Sequence, residues 1–76
     1  MEDLVVYLAR GLVDSPEAVR VERIERDGNV VLELHVAPDD VGKVIGRQGR
    51  IARALRTIVR ASGARSNERA HLEIVG

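Results

Sequence analysis

The stretch VGKVIGRQGRI at residues 41–51 decides the fold, because two glycines three positions apart interrupt an otherwise helical pattern. Pro38 is expected to begin a short helix that runs to about Ile45, since proline is well suited to the first turn of a helix. A second helix follows directly after Gly49. The centre of the chain is therefore predicted to be two helices joined by a loop, GRQG at residues 46–49.

The helix after this loop is predicted over residues 50–61 and has two distinct sides at about 100° per residue. One side is apolar and is expected to face the core: Ile51, Ala54, Leu55, Ile58 and Val59. The other side carries arginines, which we call the basic ridge: Arg50, Arg53, Arg56 and Arg60. Ser62 and Gly63 are expected to end the helix.

The remaining segments supply one helix and three strands. A helix over residues 3–13 is predicted from apolar residues at helical spacing: Leu4, Val5, Leu8, Ala9, Leu12 and Val13. Strands are predicted at residues 19–26 and 30–36, joined by a two-residue turn at Asp27 and Gly28. Ile24 is out of step with its neighbours, which predicts a bulge or an early end of pairing. Residues 71–75 form the last predicted strand.

The resulting order is αββααβ, which is an α+β fold. Because a hairpin followed by two helices and a strand has few packing solutions, the last strand is expected to lie parallel to the second. The sequence thus predicts a three-stranded mixed sheet with three helices packed on one face. All 76 residues are expected to form a single domain.

The composition indicates a folded domain, with 45% hydrophobic and 32% charged residues. Cysteine is absent, so neither disulfides nor thiolate metal sites are available. The first residues lack the basic start and apolar run of a secretory signal, and no apolar stretch approaches the roughly 20 residues of a membrane helix. A cytoplasmic protein without membrane contact is the expectation.

The two halves of the chain carry opposite charge, although the formal net charge is zero. Residues 1–42 hold ten acidic and four basic residues, a net charge of −6. Residues 43–76 hold eight basic and two acidic residues, a net charge of +6. The positive half contains the GRQG loop and the basic ridge, and such a local excess indicates a polyanionic partner.

The GRQG loop has the outline of an anion site. The helix that follows it directs its unpaired N–H groups and the positive end of its dipole toward the loop. Glycines at both ends remove the β-carbons that would hold a sugar-phosphate chain at a distance. Arg47 and Arg50 can add charge-assisted hydrogen bonds to phosphate oxygens.

Residues 41–51 resemble the signature of KH domains, in which Val-Ile-Gly-x-x-Gly joins two helices. Ile51 follows Gly49 by two positions, which is offset from the usual isoleucine of that signature. The element order resembles the type II KH fold, and the whole chain is similar to the bacterial KhpA family of single-KH proteins. The resemblance implies a cytoplasmic RNA-binding protein, an RNA chaperone or post-transcriptional regulator, that pairs with itself or with a larger KH-containing protein.

The hypothesis is sequence-tolerant binding of single-stranded RNA. Gly46 and Gly49 would admit the backbone, with contacts from further residues of the loop and its surroundings: Arg47, Gln48, Arg50, Lys43 and Arg53. KH domains hold about four nucleotides against an aliphatic groove, for which the candidates are Leu34, Val36, Val44 and Ile45. With Tyr7 as the single aromatic residue, stacking platforms are not available.

Other functions have weaker support. His35 and His71 lie in predicted strands without cysteine or a carboxylate pattern of ligand spacing, so neither a metal nor a catalytic role is expected. We expect no cofactor, no small-molecule substrate and no enzymatic activity. The main alternative is a protein-interaction adaptor that keeps the KH fold within a larger KH-containing complex. The residues do not distinguish RNA from single-stranded DNA.

Overall fold

The computed structural model describes residues 1–76 and has the predicted order of elements. The helices are α1 (Glu2–Arg10), α2 (Val41–Ile45) and α3 (Arg50–Arg65), and the strands are β1 (Arg20–Arg26), β2 (Asn29–His35) and β3 (Arg69–Val75). Single turns of 3-10 helix occupy Pro16–Ala18 and Pro38–Asp40, and Arg47–Gly49 form a turn that contains non-helical backbone angles. None of the helices combines the length and apolar character needed to span a membrane.

The sheet is mixed, with the order β1-β2-β3, and β2 pairs antiparallel with β1 and parallel with β3. Asp27 and Gly28 form the hairpin turn with φ angles of 52° and 79°, as two-residue hairpins require. The bulge predicted at Ile24 is wrong, because pairing runs without interruption from Arg20 to Arg26. Ile24 instead lies opposite Val31 on the sheet face that the helices leave open.

The core lies between the helices and one face of the sheet. Alternate residues of β2 are buried, and they pack with residues from the helices and β3 in one cluster: Val30, Leu32, Leu34, Val5, Ala9, Val44, Leu55, Val59, Ala70 and Leu72. In α1 the buried positions are Val5 and Ala9, whereas Leu4 is exposed. The helix ends at Arg10 and not at residue 13 as predicted, so Leu12 lies beyond it and is exposed. In α3, Ala52 is buried and the predicted core residue Ala54 is exposed.

The end of α3 differs from the prediction at Gly63. This glycine lies inside the helix and is buried, and a β-carbon on it would come within 2.6 Å of Cβ of Ala70. Its role is therefore to let the helix approach β3 closely. The helix ends two residues later, where Asn67 has a φ of 58° and the amide of Glu68 donates to the carbonyl of Gly63. This is a Schellman ending with asparagine in place of glycine.

Candidate nucleic-acid interface

The GRQG loop connects α2 to α3 with an unusual backbone. Gly46 has φ 77° and ψ 173°, Gln48 has φ 57° and ψ 24°, and Gly49 has φ 72° and ψ 16°. Three of the four loop residues are thus at positive φ, where side chains other than glycine are disfavoured. A left-handed conformation at Gln48 needs support from its surroundings.

That support comes from two arginines of α3. Nη2 of Arg53 donates a 2.8 Å hydrogen bond to the carbonyl oxygen of Gln48. Nη2 of Arg50 donates a 3.2 Å hydrogen bond to Oε1 of the same residue. Both the backbone and the side chain of Gln48 are therefore held from the first turn of the next helix, and Arg53 acts as a positioning residue for the loop.

The two glycines of the loop meet different surroundings. A β-carbon on Gly46 would lie 2.7 Å from Cγ1 of Ile51, so the glycine makes room for that side chain. A β-carbon on Gly49 would meet nothing within 4 Å, which leaves open space beside the loop. Ile51, whose register differs from the KH signature, thus packs under the loop from within α3.

The positive charge beside the loop is not neutralised within the chain. The five arginines at the loop and on the basic ridge make no ion pair with any acidic residue: Arg47, Arg50, Arg53, Arg56 and Arg60. The first turn of α3 contains no acidic residue, and no side chain caps it. Amide groups, helix dipole and arginines therefore attract an anion together.

A groove of about 410 Å³ continues this surface between α3 and the edge strand β3. Arg56 and Arg60 line its helical side, and Val31, His71 and Glu73 are among the residues lining the side of the sheet. The ridge thus leads from the loop toward a concave surface of mixed apolar and polar character.

Lys43, also predicted as an RNA contact, differs from the arginines in having acidic partners. Its Nζ lies 3.0 Å from Oδ2 of Asp14 and 3.4 Å from Oδ1 of Asp40. Hydrogen bonding to Asp14 and the nearby carboxylate charges raise the pKa of Lys43. The acidic half of the chain therefore supplies partners for this ammonium group, which distinguishes Lys43 from the arginines of the basic ridge.

Asp40 is a buried anchor that the sequence did not reveal. Its carboxylate accepts hydrogen bonds from the amides of Asp14 (3.2 Å) and Ser15 (3.0 Å). Burial acts to raise the pKa of Asp40, but these amides and the Lys43 ammonium outweigh it and hold the pKa below its ordinary value. The segment after α1 is thereby attached to the start of α2.

Most of the predicted aliphatic groove lies in the core. Leu34 and Val44 are fully buried and Val36 is 7% exposed, so their side chains support the site from below and do not reach a ligand. Ile45, beside the loop, is 38% exposed. Only Ile45 among the four candidates has an exposed apolar side chain.

Other acidic residues form ion pairs on the sheet. Arg23 forms ion pairs with Glu25 and Glu68 and lies 3.6 Å from Glu2. Arg20 pairs with Glu22 on the open face of the sheet. The two halves of the chain thus meet in the Arg23–Glu68 and Lys43–Asp14 pairs, whereas the arginines of the loop and of the basic ridge have no acidic partner.

Comparison with known proteins gives a consistent picture. The family described as "KhpA/KhpB, KH domain" matches residues 2–74. The chain is 47% identical over 75 residues to "RNA-binding protein KhpA" of Clostridium perfringens, covering 99% of this chain and 100% of the relative. Identity to the proteins of the same name is 53% over 74 residues in Treponema pallidum (97% and 92% covered) and 47% over 74 residues in Bacillus subtilis (97% and 91% covered). No solved structure matches.

Proposed function

The chain belongs to the KhpA/KhpB family of KH domains, and from this membership we propose that it binds single-stranded RNA through the GRQG loop. Relatives of nearly the same length carry the name RNA-binding protein. Gly46 and Gly49 admit the sugar-phosphate backbone, and Arg47, Gln48 and Arg50 contact it. Arg53 contributes by positioning Gln48.

One observation carries this proposal: an open glycine turn stands directly before an uncapped helix, among arginines that have no acidic partner. A phosphodiester supplies the negative charge that this arrangement lacks. Because phosphates are common to all sequences, contacts of this kind position a strand without reading its bases.

The basic ridge gives the strand a path beyond the loop. KH domains hold about four nucleotides, and Arg56 and Arg60 lie in the direction of the groove beside β3. Exposed Ile45 is the apolar contact for a base next to the loop. With one tyrosine and neither phenylalanine nor tryptophan, stacking contributes little, so low sequence specificity is expected.

A single domain of this size would bind RNA weakly, so we propose that the chain acts in pairs in the cytoplasm, with itself or with a larger KH-containing protein. Joining two modules raises avidity without new contacts. An RNA chaperone or post-transcriptional regulator fits such broad binding. No catalytic step is part of this proposal.

The deciding experiment reverses charge at the loop. Arg47→Asp/Gln48→Asp is compared with Ala18→Asp/Arg26→Asp, a control that changes the net charge by the same amount at exposed positions away from the loop. Binding of a fluorescent single-stranded RNA is measured by anisotropy, and circular dichroism checks the fold. The loop variant should lose most of its affinity, whereas the control should keep it. Equal losses in both would contradict a role for the loop.

A protein-interaction adaptor is the second candidate, favoured by exposed apolar residues on α1 and in the turn that follows it. Leu4, Tyr7 and Leu12 are 43%, 74% and 37% exposed. Exposed aromatic and aliphatic residues grouped in this way are typical of protein interfaces. If the loop variant kept full RNA affinity while Tyr7→Glu abolished pairing with a protein partner, the adaptor function would replace RNA binding.

A further inference from the structure

Three glutamates form a row across the open face of the sheet. Glu22 of β1 lies directly opposite Glu33 of β2, and Glu33 lies directly beside Glu73 of β3. Neighbouring strands are about 4.8 Å apart, and like charges directly opposite each other destabilise a sheet. Arg20 pairs with Glu22, but Glu33 and Glu73 have no lysine or arginine partner. The row of glutamates therefore carries negative charge that neighbouring lysine or arginine side chains do not neutralise.

His35 lies two residues after Glu33 on the same face of β2, close to these carboxylates. Its Nε2 lies 3.5 Å from Oε1 of Glu33 and 4.0 Å from Oε2 of Glu22. The same nitrogen is inaccessible to solvent and has no hydrogen-bond partner. Buried polar atoms without a partner are rare in proteins, because each loses its hydration without compensation. A ligand for Nε2 would resolve both this and the excess charge.

We propose that His35, Glu22 and Glu33 bind a divalent transition-metal ion, for which Zn²⁺ is the best fit. Imidazole nitrogen and carboxylate oxygen together suit Zn²⁺, whereas Mg²⁺ and Ca²⁺ prefer oxygen alone. A site with three protein ligands leaves the fourth tetrahedral position to water. Glu73, next to Glu33 in the row, adds negative charge close to the ion.

The geometry needs only small side-chain movements. The three ligand atoms all lie within 4.8 Å of one another. A tetrahedral ion with bonds of about 2.0–2.1 Å requires its ligand atoms to be about 3.4 Å apart. The His35 to Glu33 distance of 3.5 Å already meets this requirement. The side chain of Glu22 is about half exposed, at 49%, and is free to close the remaining gap.

Arg20 competes with the ion for this cluster. Its guanidinium pairs with Oε1 of Glu22, and its Nη2 lies 3.4 Å from Nδ1 of His35. Because arginine can only donate, it favours a proton on Nε2, and metal binding needs that nitrogen free. The exposed Arg20 side chain must therefore turn away when the ion enters. Removing its charge should tighten metal binding.

The ligands come from two strands, which explains why spacing along the chain gave no sign of them and why no metal role was expected for His35. The site lies on the face of the sheet opposite the helices. None of its three ligands is among the residues proposed to contact RNA, so either proposal can fail alone.

The test is titration of ZnCl₂ into the full, tag-free chain by isothermal calorimetry. One ion per chain should bind the wild type. His35→Ala and Glu33→Gln should each weaken binding by roughly 10-fold or more, since each removes a ligand. Arg20→Gln should strengthen it. MgCl₂ should neither bind the cluster nor displace Zn²⁺.

His71→Ala and Glu25→Gln are the matched controls, because His71 is the other histidine of the chain and Glu25 lies on β1 outside the cluster. Both should bind as the wild type does. The proposal is overturned if the wild type fails to bind Zn²⁺, or if His71→Ala weakens binding as much as His35→Ala. Should His35→Ala unfold, Glu33→Gln decides, since it keeps the shape of the side chain and removes its charge.

Discussion

The side chain of Ile51 fills the space that a β-carbon on Gly46 would occupy, with Cγ1 at 2.7 Å from that position. The contact joins the first turn of α3 to the start of the GRQG loop. It also explains why an isoleucine stands two residues after Gly49. The loop is thus shaped by packing beneath it as well as by its glycines.

Gly46→Ala should therefore be more damaging than Gly49→Ala. Gly46 combines φ 77° with ψ 173°, a region nearly restricted to glycine, so strain and the Ile51 contact together should cost about 3 kcal/mol or more. Gly49 is left-handed with open space around it, and alanine there should cost about 1–2 kcal/mol. Urea unfolding measures both. A double-mutant cycle should show that Ile51→Ala relieves part of the cost at Gly46 and none at Gly49.

The basic ridge should set the salt dependence of RNA binding. Each phosphate contact on a single strand contributes about 0.7 to the slope of log affinity against log salt. Replacing Arg53, Arg56 and Arg60 with glutamine should lower the slope by up to about 2. The control replaces Arg10, Arg26 and Arg65, which lie off the ridge, with glutamine. Equal slopes in the two triple variants would exclude the ridge as the path of the strand.

Gly63→Ala should destabilise the fold in spite of alanine's higher helix propensity. The new β-carbon would stand 2.6 Å from Cβ of Ala70 and 3.0 Å from the carbonyl oxygen of Glu68. Such overpacking costs about 1–3 kcal/mol. Gly42→Ala in α2 is the matched control, because nothing lies within 4 Å of its added carbon. That variant should gain up to about 1 kcal/mol, so unfolding curves of the two should shift in opposite directions.

Asp40→Asn should make the free energy of unfolding less dependent on pH in the acidic range. The folded pKa of Asp40 is lowered, so its ionisation stabilises the fold above the unfolded pKa, about 3.9. That contribution is lost as the pH falls through the lower, folded pKa. The wild type should be more stable than the variant at neutral pH, and the gap should shrink below about pH 4. Urea unfolding midpoints across this pH range measure the difference in stability, with exposed Asp39→Asn as the control. A gap independent of pH would refute the assignment.

Lys43 sets the upper end of the pH range over which its ion pair with Asp40 stabilises the fold. Its pKa is raised, so its contribution is complete below the unfolded pKa of about 10.4 and is lost as the pH rises through the folded value. Lys43→Met should therefore lower stability at neutral pH while leaving the affinity for RNA nearly unchanged. A large loss of RNA affinity would return Lys43 to the binding surface.

Local patterns predicted the architecture well. The alternation in β2 and the Asp27-Gly28 turn depend on neighbours along the chain, and the structure confirms both. The order of elements and the parallel pairing of β3 with β2 followed from connectivity and are also confirmed. These features are predictable because each is determined within about ten residues or by the few ways such elements can pack.

Features that depend on distant partners were predicted poorly. From sequence alone, Gly63 resembles a glycine that ends a helix, because its contact with Ala70 is formed only in the fold. Lys43 likewise resembles an unpaired surface cation, because Asp14 is distant from it along the chain. Ile24 suggested a bulge because the sequence did not show that it pairs with Val31 on the open face of the sheet. In the candidate interface, the loop and its arginines were located from sequence, but the hydrogen bonds that hold Gln48 were not.

The hydrogen bond from Arg53 to the carbonyl of Gln48 affects both the rate of ligand association and the entropy that the loop loses on binding. Since the turn is held before any ligand arrives, little conformational freedom remains for the protein to lose on association. The entropic penalty would then fall on the nucleotide chain, and the encounter rate would be governed by diffusion and charge rather than by reorganisation of the loop.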